Sequence, residues 1–274
     1  MSTIPQRRDA FFALLAQRRA IMGILNVTPD SFSDGGRFTA RDAALDQARR
    51  MAADGADIID IGGESTRPGY EPVPADEEWR RLDSVLPALV EMLDLPVSID
   101  TMKSEIARRA LGAGAAIVND VWSFQRDPAM AGVVAAEGAG AILMHNRKSI
   151  DASVDIVADM HSFFERSLDI ARRAGIDPAH IALDPGIGFG KTKAQNLQAL
   201  AAIGELRRHG CPILVGVSRK SLFGALLGKP PEERLVGTLA ANLATAMRGA
   251  RIFRVHDVAE HRMALSVLDA IESA

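Results

Sequence analysis

The chain has 274 residues and a formal net charge of -3, from 32 Lys and Arg against 35 Asp and Glu. Hydrophobic residues make up 47% and charged residues 24%, a mixture that argues against a disordered chain and against a disulfide-rich scaffold. Charges of both signs are interspersed and nearly balanced, so no overall field would draw the protein to nucleic acid or to an anionic membrane.

The cysteine content and the N-terminal segment bear on where the protein resides. Cys211 is the only cysteine, so no internal disulfide can form, which fits a reducing cytoplasm. The first twenty residues mix arginine and aspartate with apolar residues and lack the continuous apolar core of a signal peptide. No stretch approaches a membrane span. We therefore expect a cytoplasmic protein that binds neither nucleic acid nor a membrane.

Short apolar runs typical of buried parallel strands alternate with segments that have helical spacing. The runs are AIMGILN (20–26), DIIDIG (57–62), PVSID (96–100), AAIVND (115–120), AILMH (141–145), HIALD (180–184), PILVGV (212–217) and RIFRV (251–255). In the first helical segment, apolar residues recur from Ala44 to Ala52, and Gly55 follows as a stop.

Eight strand–helix repeats in a chain of this length favour an α/β protein with one domain, a (β/α)8 TIM barrel over residues 21–274. Residues 1–20 would form an N-terminal extension, either a short helix or a segment across the bottom of the barrel. A doubly wound parallel sheet is the alternative fold.

Polar residues follow the predicted strands, at the end where barrel active sites form. They are Asn26, Glu64 to Arg67, Asp100, Asn119, Asp120, His145, Asn146, Asp184, Ser218 to Lys220, Arg254 and His256. Any one of them could be a helix cap or a turn residue. Because converging buried polar groups cost free energy unless a ligand satisfies them, a shared site explains the set better. The amides and carboxylates suit a flat heterocycle, and the cations suit a phosphate-like anion.

Familiar phosphate and metal motifs do not fit the sequence. In DPGIGFGKT (184–192), Pro185 stands where the phosphate loop needs its first glycine, and lysine occupies the last position of a dinucleotide fingerprint. We interpret these glycines as allowing a tight turn or a close approach to a ligand. The six histidines form no H-E-x-x-H pair, so we expect no tightly held zinc. Mg²⁺ bound through an oxygen ligand and substrate phosphates stays open.

Seven stretches carry a more specific pattern: GILNVTPDSFSDGG (23–36), DIIDIGGESTRPGYEPV (57–73), SIDT (98–101), VNDV (118–121), LDPGIGFGK (183–191), GVSRKS (216–221) and RVHDV (254–258). In this order and spacing they resemble the dihydropteroate synthases of the bacterial folate pathway, over nearly the whole chain. The resemblance implies a barrel that joins 6-hydroxymethyl-7,8-dihydropterin diphosphate to p-aminobenzoate, releasing pyrophosphate and giving 7,8-dihydropteroate. It also implies Mg²⁺ and a homodimer, whose apolar interface we expect around residues 232–249 and 257–272.

The resemblance also implies roles for individual residues. The catalytic set would be Asp100, Lys220, Arg254 and His256. The pterin would be bound by Asp100, Asn119, Asp184 and Lys220, beside Met144, Phe189 and Gly216. The diphosphate would be held by Asn26 through the metal, and by Arg254 and His256. The p-aminobenzoate would meet Thr66, Arg67, Pro68 and Ser221, together with the first loop around Asp30 to Gly36.

Two other functions compete with this one. A pterin-binding methyltransferase would share the pterin pocket, but it would not need the SRKS and RVHD stretches to grip a diphosphate. A catalytically silent barrel that only binds a partner would be expected to lack some of the mouth carboxylates, and none is missing.

Overall fold

The computed structural model describes residues 3–27, 37–64 and 72–274. Eight parallel strands form a closed barrel in sequence order, as predicted. The strands are β1 (Ala20–Asn26), β2 (Ile58–Gly62), β3 (Val97–Asp100), β4 (Ile117–Asp120), β5 (Gly140–Met144), β6 (Ile181–Asp184), β7 (Ile213–Val215) and β8 (Ala250–Val255). Each predicted strand is confirmed, with ends that differ by no more than two residues.

One helix precedes the first strand, and the others follow the strands on the outside of the barrel. The helices are α1 (Ile4–Gln17), α2 (Arg37–Ala53), α3 (Ala75–Leu82), α4 (Leu86–Met92), α5 (Ser104–Gly112), α6 (Met130–Ala136), α7 (Ile156–Ala174), α8 (Lys193–Ala201), α9 (Ile203–Leu206), α10 (Ser221–Leu227), α11 (Leu235–Ala246) and α12 (Val258–Glu272). The predicted stop after α2 is confirmed at Gly55, whose φ of +98° favours glycine. None of these helices is long and apolar enough to cross a membrane.

The inside of the barrel is layered because side chains two residues apart on a strand point to the same face. A lower layer is apolar and includes Met22, Ile58, Ile117, Ile142 and Ile252. Two residues further along their strands, the same face carries the polar side chains Asp60, Asn119 and Arg254. Neighbouring strands are in register at this level, with Asp60 opposite Ser98 and Asp100 opposite Asn119. The sequence therefore builds a polar layer directly above an apolar floor.

The N-terminal extension is a helix that closes the bottom of the barrel. Thr3 caps α1 in a capping box with Gln6, which satisfies backbone groups at the start of the helix. Phe11 and Leu15 are 2% and 5% exposed and belong to the same apolar cluster as the floor residues. Arg251 at the start of β8 donates hydrogen bonds to the carbonyl oxygen of Leu15 at 2.6 and 2.9 Å. The floor is thereby covered from below.

Because α1 closes the floor, we predict that Phe11→Ala destabilises the protein by about 3–5 kcal/mol, the usual range for emptying a buried phenylalanine site. Urea denaturation measures the change, with Gln17→Ala, an exposed position of the same helix, as the control. A loss no larger than that of the control would show that α1 is not part of the barrel core.

Candidate active site

The centre of the barrel mouth is one guanidinium shared by two buried carboxylates. Arg254, near the end of β8, donates from Nε to Asp60 Oδ2 at 2.6 Å and from Nη2 to Asp100 Oδ2 at 2.8 Å. Asp60 also accepts a hydrogen bond from Asn119 Nδ2 at 3.1 Å. The Asp60 side chain is fully buried, whereas that of Arg254 keeps 20% of its surface exposed. Four neighbouring positions of the polar layer thus form one network that reaches the mouth through Arg254.

Burial and nearby charges of both signs act in opposite directions on the pKa of Asp100. Burial raises its pKa to about 7, Arg254 lowers it, and the carboxylates of Asp60, Glu78 and Asp120 raise it. Protonation of Asp100 is therefore more favourable than protonation of an exposed aspartate. A positive charge developing nearby would favour the anionic form of Asp100, so Asp100 can stabilise a cation in the mouth.

The opposite side of the mouth is formed by Asp184 and Lys220. Asp184 ends β6, is 6% exposed and accepts a hydrogen bond from the backbone N–H of Gly186 at 2.7 Å. Burial raises the pKa of Asp184, and the charge of Lys220 opposes that shift. The Lys220 ammonium donates to the carbonyl oxygen of Ile187 and lies 4.7 Å from the centre of the Phe189 ring. This side therefore offers an acceptor and a donor beside an aromatic face.

An apolar wall and a glycine complete the space between these groups. Met144 belongs to a small cluster with Met102 and Val121, and Phe189 packs against that cluster. A Cβ atom on Gly216 would lie 3.6 Å from Asp184 Oδ2 and 3.8 Å from the Cβ of Arg254. A larger side chain at residue 216 would therefore intrude between the two polar halves of the mouth.

The loop after β6 is held by a buried lysine that sequence reasoning missed. Lys191 is 4% exposed, and its ammonium donates to the carbonyl oxygens of Gly186 at 2.8 Å, Phe189 at 3.2 Å and His145 at 3.3 Å. Burial lowers its pKa to about 7. Gly186 has φ +64°, and a Cβ there would lie 1.9 Å from the carbonyl oxygen of His145. The glycines of this stretch thus serve a tight turn, as the sequence indicates.

The SRKS and RVHD stretches meet at the ends of β7 and β8. Ser218 Oγ lies 2.9 Å from His256 Nδ1 and accepts a hydrogen bond from the His256 backbone N–H at 3.2 Å. Arg219 has φ +57° and pairs with Asp257, with Nε 3.1 Å from Oδ2. Ser221 follows at the start of α10, with its side chain exposed. The two stretches brace one another and present His256 and Ser221 at the rim.

Three polar residues expected at the mouth lie elsewhere. Asp120 follows the inward-facing Asn119, so its side chain points out of the barrel and accepts from the backbone N–H groups of Trp122 at 2.8 Å and Phe124 at 2.7 Å. The His145 ring is fully buried 4.9 Å from the Phe163 ring, and burial lowers its pKa to about 2. Asn146 donates from Nδ2 to the Val121 carbonyl oxygen at 3.0 Å. All three hold loops in place.

A second buried charge cluster, also missed, lies where the second strand leads into its loop. The Lys103 ammonium lies 2.6 Å from both Glu64 Oε2 and Glu78 Oε2, and it donates to the Val73 carbonyl oxygen at 2.8 Å. Thr101, next to Asp100, donates to Glu78 Oε1 at 2.8 Å. The cluster thereby ties the end of β3 to α3. The predicted residues Thr66, Arg67 and Pro68 and the loop from Asp30 to Gly36 lie outside the described residues.

Asn26, at the mouth, has an oxygen atom that suits Mg²⁺ as a ligand. Asn26 ends β1 opposite Gly62 of β2, and Met22, earlier on β1, is the partner of Arg254 in β8. The carboxamide oxygen of Asn26 is a hard ligand of the kind that Mg²⁺ accepts together with substrate phosphates. Within residues 3–27, 37–64 and 72–274, no group of three or more His, Cys, Asp or Glu side chains is arranged to hold a metal ion.

Known proteins match this chain over almost all its length. The sequence profile described as Pterin binding enzyme matches residues 22–256. The dihydropteroate synthase of Clostridium beijerinckii is 46% identical over 258 residues, which cover 94% of this chain and 96% of the relative. That of Bacillus subtilis is 45% identical over 255 residues, which cover 93% and 89%.

Solved structures agree in fold as well as in sequence. The dihydropteroate synthase of Xanthomonas albilineans with 4-aminobenzoic acid has a TM-score of 0.90 and 46% identity, covering 94% of each chain. The same organism's enzyme in complex with 7,8-dihydropteroate has a TM-score of 0.86 and 43% identity, covering 94% of this chain and 95% of the other. With its barrel and its polar mouth, the chain belongs to the pterin-binding enzymes and, among them, to the dihydropteroate synthases.

Proposed function

We propose that the mouth of the barrel is where this dihydropteroate synthase condenses 6-hydroxymethyl-7,8-dihydropterin diphosphate with p-aminobenzoate. The observation that supports this location is that two chemically distinct groups of side chains lie on either side of Gly216. Asp184 and Lys220 form one group, the pterin half, and Arg254 belongs to the other, the diphosphate half. The first half suits a heterocycle with donors and acceptors along its edge, and the second suits an anion. The Xanthomonas albilineans structures contain 4-aminobenzoic acid and 7,8-dihydropteroate, which supports p-aminobenzoate as a substrate and 7,8-dihydropteroate as the product.

The pterin half binds and orients the heterocycle. The ring edge of a pterin carries N–H donors, which Asp184 and the amide oxygen of Asn119 would accept, and acceptors, to which Lys220 would donate. Phe189 and Met144 would pack on the ring faces, where apolar contact and partial exclusion of water strengthen these polar contacts. The β6 loop already holds the Asp184 carboxylate and the Lys220 ammonium by hydrogen bonds. These side chains would therefore lose little conformational freedom when the pterin binds.

The diphosphate half stabilises the leaving group. The bond between the pterin methylene carbon and the diphosphate oxygen breaks with its electron pair going to pyrophosphate, and a C–N bond forms from the aniline nitrogen, which then loses a proton. Arg254 and His256 would donate hydrogen bonds to the departing oxygens, in the way preorganised donors stabilise developing charge. Asp100, in its anionic form, would offset positive charge on the pterin as the carbon–oxygen bond lengthens. These three groups, with Lys220, would make up the catalytic set.

Mg²⁺ is the cofactor that fits this half. Asn26 would supply the protein ligand and the diphosphate oxygens would supply others, a combination common for Mg²⁺. When bound, the ion neutralises negative charge on the leaving pyrophosphate. Arg254 and His256 would act on the same negative charge. Asn26 at the end of β1, through the ion, and these two residues at the end of β8 would therefore together stabilise the leaving group.

The reducing environment expected from the sequence agrees with the state of Cys211. The thiol is buried, and burial raises its pKa to about 11. A thiol of this kind is poorly reactive, so it would remain reduced and act as a core residue. From the single cysteine of the sequence, we propose a cytoplasmic location.

A homodimer is the assembly that we propose, formed through α11 and α12. On α12, Met263, Val267 and Ile271 are 62–69% exposed and four residues apart, so they form a stripe along one face. Val236 on α11 and Met247 just after it are 76% and 70% exposed. Contiguous exposed apolar side chains of this kind mark protein–protein interfaces. The resemblance implies a homodimer, so a second copy of this chain is the partner that we propose.

The division of roles predicts different defects in two variants. Asp184→Asn should raise the KM for the dihydropterin diphosphate by about 10–100-fold, because a charged hydrogen bond of about 1.5–3 kcal/mol is lost. Ser221→Ala should raise the KM for p-aminobenzoate by less than about 10-fold and leave the pterin KM unchanged. Pyrophosphate release with both substrates and Mg²⁺ is the measurement, and omission of either substrate is the control. Equal loss for both substrates in both variants would refute the division, and absence of release from the unaltered protein would refute the proposed location and function.

The dimer proposal predicts a change in mass. Val267→Glu places a charge in the centre of the stripe and should shift the protein toward monomer at micromolar concentration, because burying an unpaired carboxylate is costly. Sedimentation velocity measures the mass. Ser162→Glu, which adds the same charge at an exposed position of α7, should leave it unchanged. A dimer that survives Val267→Glu as well as it survives Ser162→Glu would place the interface elsewhere.

A further inference from the structure

Asp60 is a buried carboxylate to which the reaction described above gives no role. It lies in the middle of β2, is fully buried, and its second oxygen, Oδ1, has no hydrogen-bond partner among the described residues. Because no part of Asp60 reaches the surface of the mouth, it is not placed to touch a substrate. Its contacts are with two residues that do reach the mouth, Arg254 and Asn119.

A purely structural explanation of Asp60 is weak on physical grounds. Removing a carboxylate and a guanidinium from water costs more than their attraction commonly returns, so apolar residues of similar size often give a more stable core. The floor one layer below shows that this barrel fills the same face of β2 with Ile58. A charge at Asp60 therefore stabilises a particular arrangement of the mouth more than it stabilises the fold.

The geometry shows what that arrangement is. Asp60 holds Nε of Arg254 at 2.6 Å, and Asp100 holds Nη2 of the same guanidinium at 2.8 Å, so two of its five N–H groups are engaged and the plane of the group is fixed. With Nδ2 of Asn119 bound to Asp60 as well, the amide oxygen of Asn119 is left as the atom available to a ligand. Asp60 thus touches both halves of the site from below.

We propose that Asp60 is a positioning residue for Arg254: it fixes the guanidinium so that its remaining N–H groups face the leaving diphosphate, and it keeps Asp100 from taking that cation alone. This inference rests on the proposed role of Arg254 in holding the diphosphate. A guanidinium that is fixed before the substrate arrives needs no reorganisation when the carbon–oxygen bond breaks.

The charge of Asp60 also acts on Asp100. The groups that act on Asp100 are Arg254, which lowers its pKa, and Asp60, Glu78 and Asp120, which raise it. Replacing Asp60 by asparagine removes one of the raising charges and lets Arg254 pair fully with Asp100. Both effects lower the pKa of Asp100 below its value of about 7, so Asp100 loses its proton at lower pH.

The test is a double-mutant cycle read in kcat. Asp60→Asn should lower kcat by about 10–100-fold, as expected for a misplaced catalytic group, while the KM for p-aminobenzoate changes by less than about 3-fold. In an Arg254→Ala background the same substitution should change kcat by less than about 3-fold, because its effect passes through Arg254. The acid limb of the kcat–pH profile should move to lower pH in Asp60→Asn.

Asp57→Asn is the matched control, because Asp57 begins the same chain segment, is 7% exposed and pairs with Arg18 and Arg262 at the opposite end of the barrel. It should leave kcat and its pH profile unchanged even if stability falls. Asp60→Ser, which leaves room for water in place of the carboxylate, repeats the cycle if Asp60→Asn does not fold. Equal losses from the Asp60 substitution with and without Arg254, or an unmoved acid limb, would overturn the positioning role. An unaltered protein that releases no pyrophosphate would instead overturn the proposed function.

Discussion

The site depends on one cation shared by two buried carboxylates. Asp60 and Asp100 hold Arg254 from neighbouring strands, and the guanidinium offsets part of the cost of burying two carboxylates. The pKa of Asp100 is raised to about 7, because burial and the neighbouring carboxylates together outweigh the attraction of Arg254. The mouth therefore has an arginine fixed in direction and an aspartate that responds to charge, two properties that suit the proposed loss of a diphosphate from a pterin.

The rest of the fold serves this layer in two ways. The apolar floor, closed from below by α1, supplies buried apolar packing that stabilises the barrel. The polar layer above it can therefore hold side chains that bind substrates. The β6 loop carries the pterin half, and Lys191 fixes its course by binding three carbonyl oxygens. A neutral amine or amide nitrogen has at most two N–H groups, whereas an ammonium has three and can donate to all three carbonyl oxygens. Stability and function are thus separated along the barrel axis.

Much of this could be predicted from the sequence, and the failures have physical causes. The eight strands were predictable because strands buried on both faces are uninterrupted apolar runs. The position of Asp100, Asn119, Asp184 and Arg254 at the mouth was predictable because each stands at the end of its run or one residue before it. Asp60 was missed because it stands inside a run, although its spacing of two from Ile58 places it on the inner face. The same spacing rule would have removed Asp120. The positions of Lys191 and His145 depend on the path of loops, which spacing does not determine.

A crystal structure of the protein with pyrophosphate and Mg²⁺ bound tests the shared-cation arrangement most directly. We expect Arg254 Nε to remain on Asp60 Oδ2 while other guanidinium nitrogens lie within about 3 Å of pyrophosphate oxygens. A guanidinium that leaves Asp60 to bind pyrophosphate, or a pyrophosphate bound away from Arg254, would contradict it.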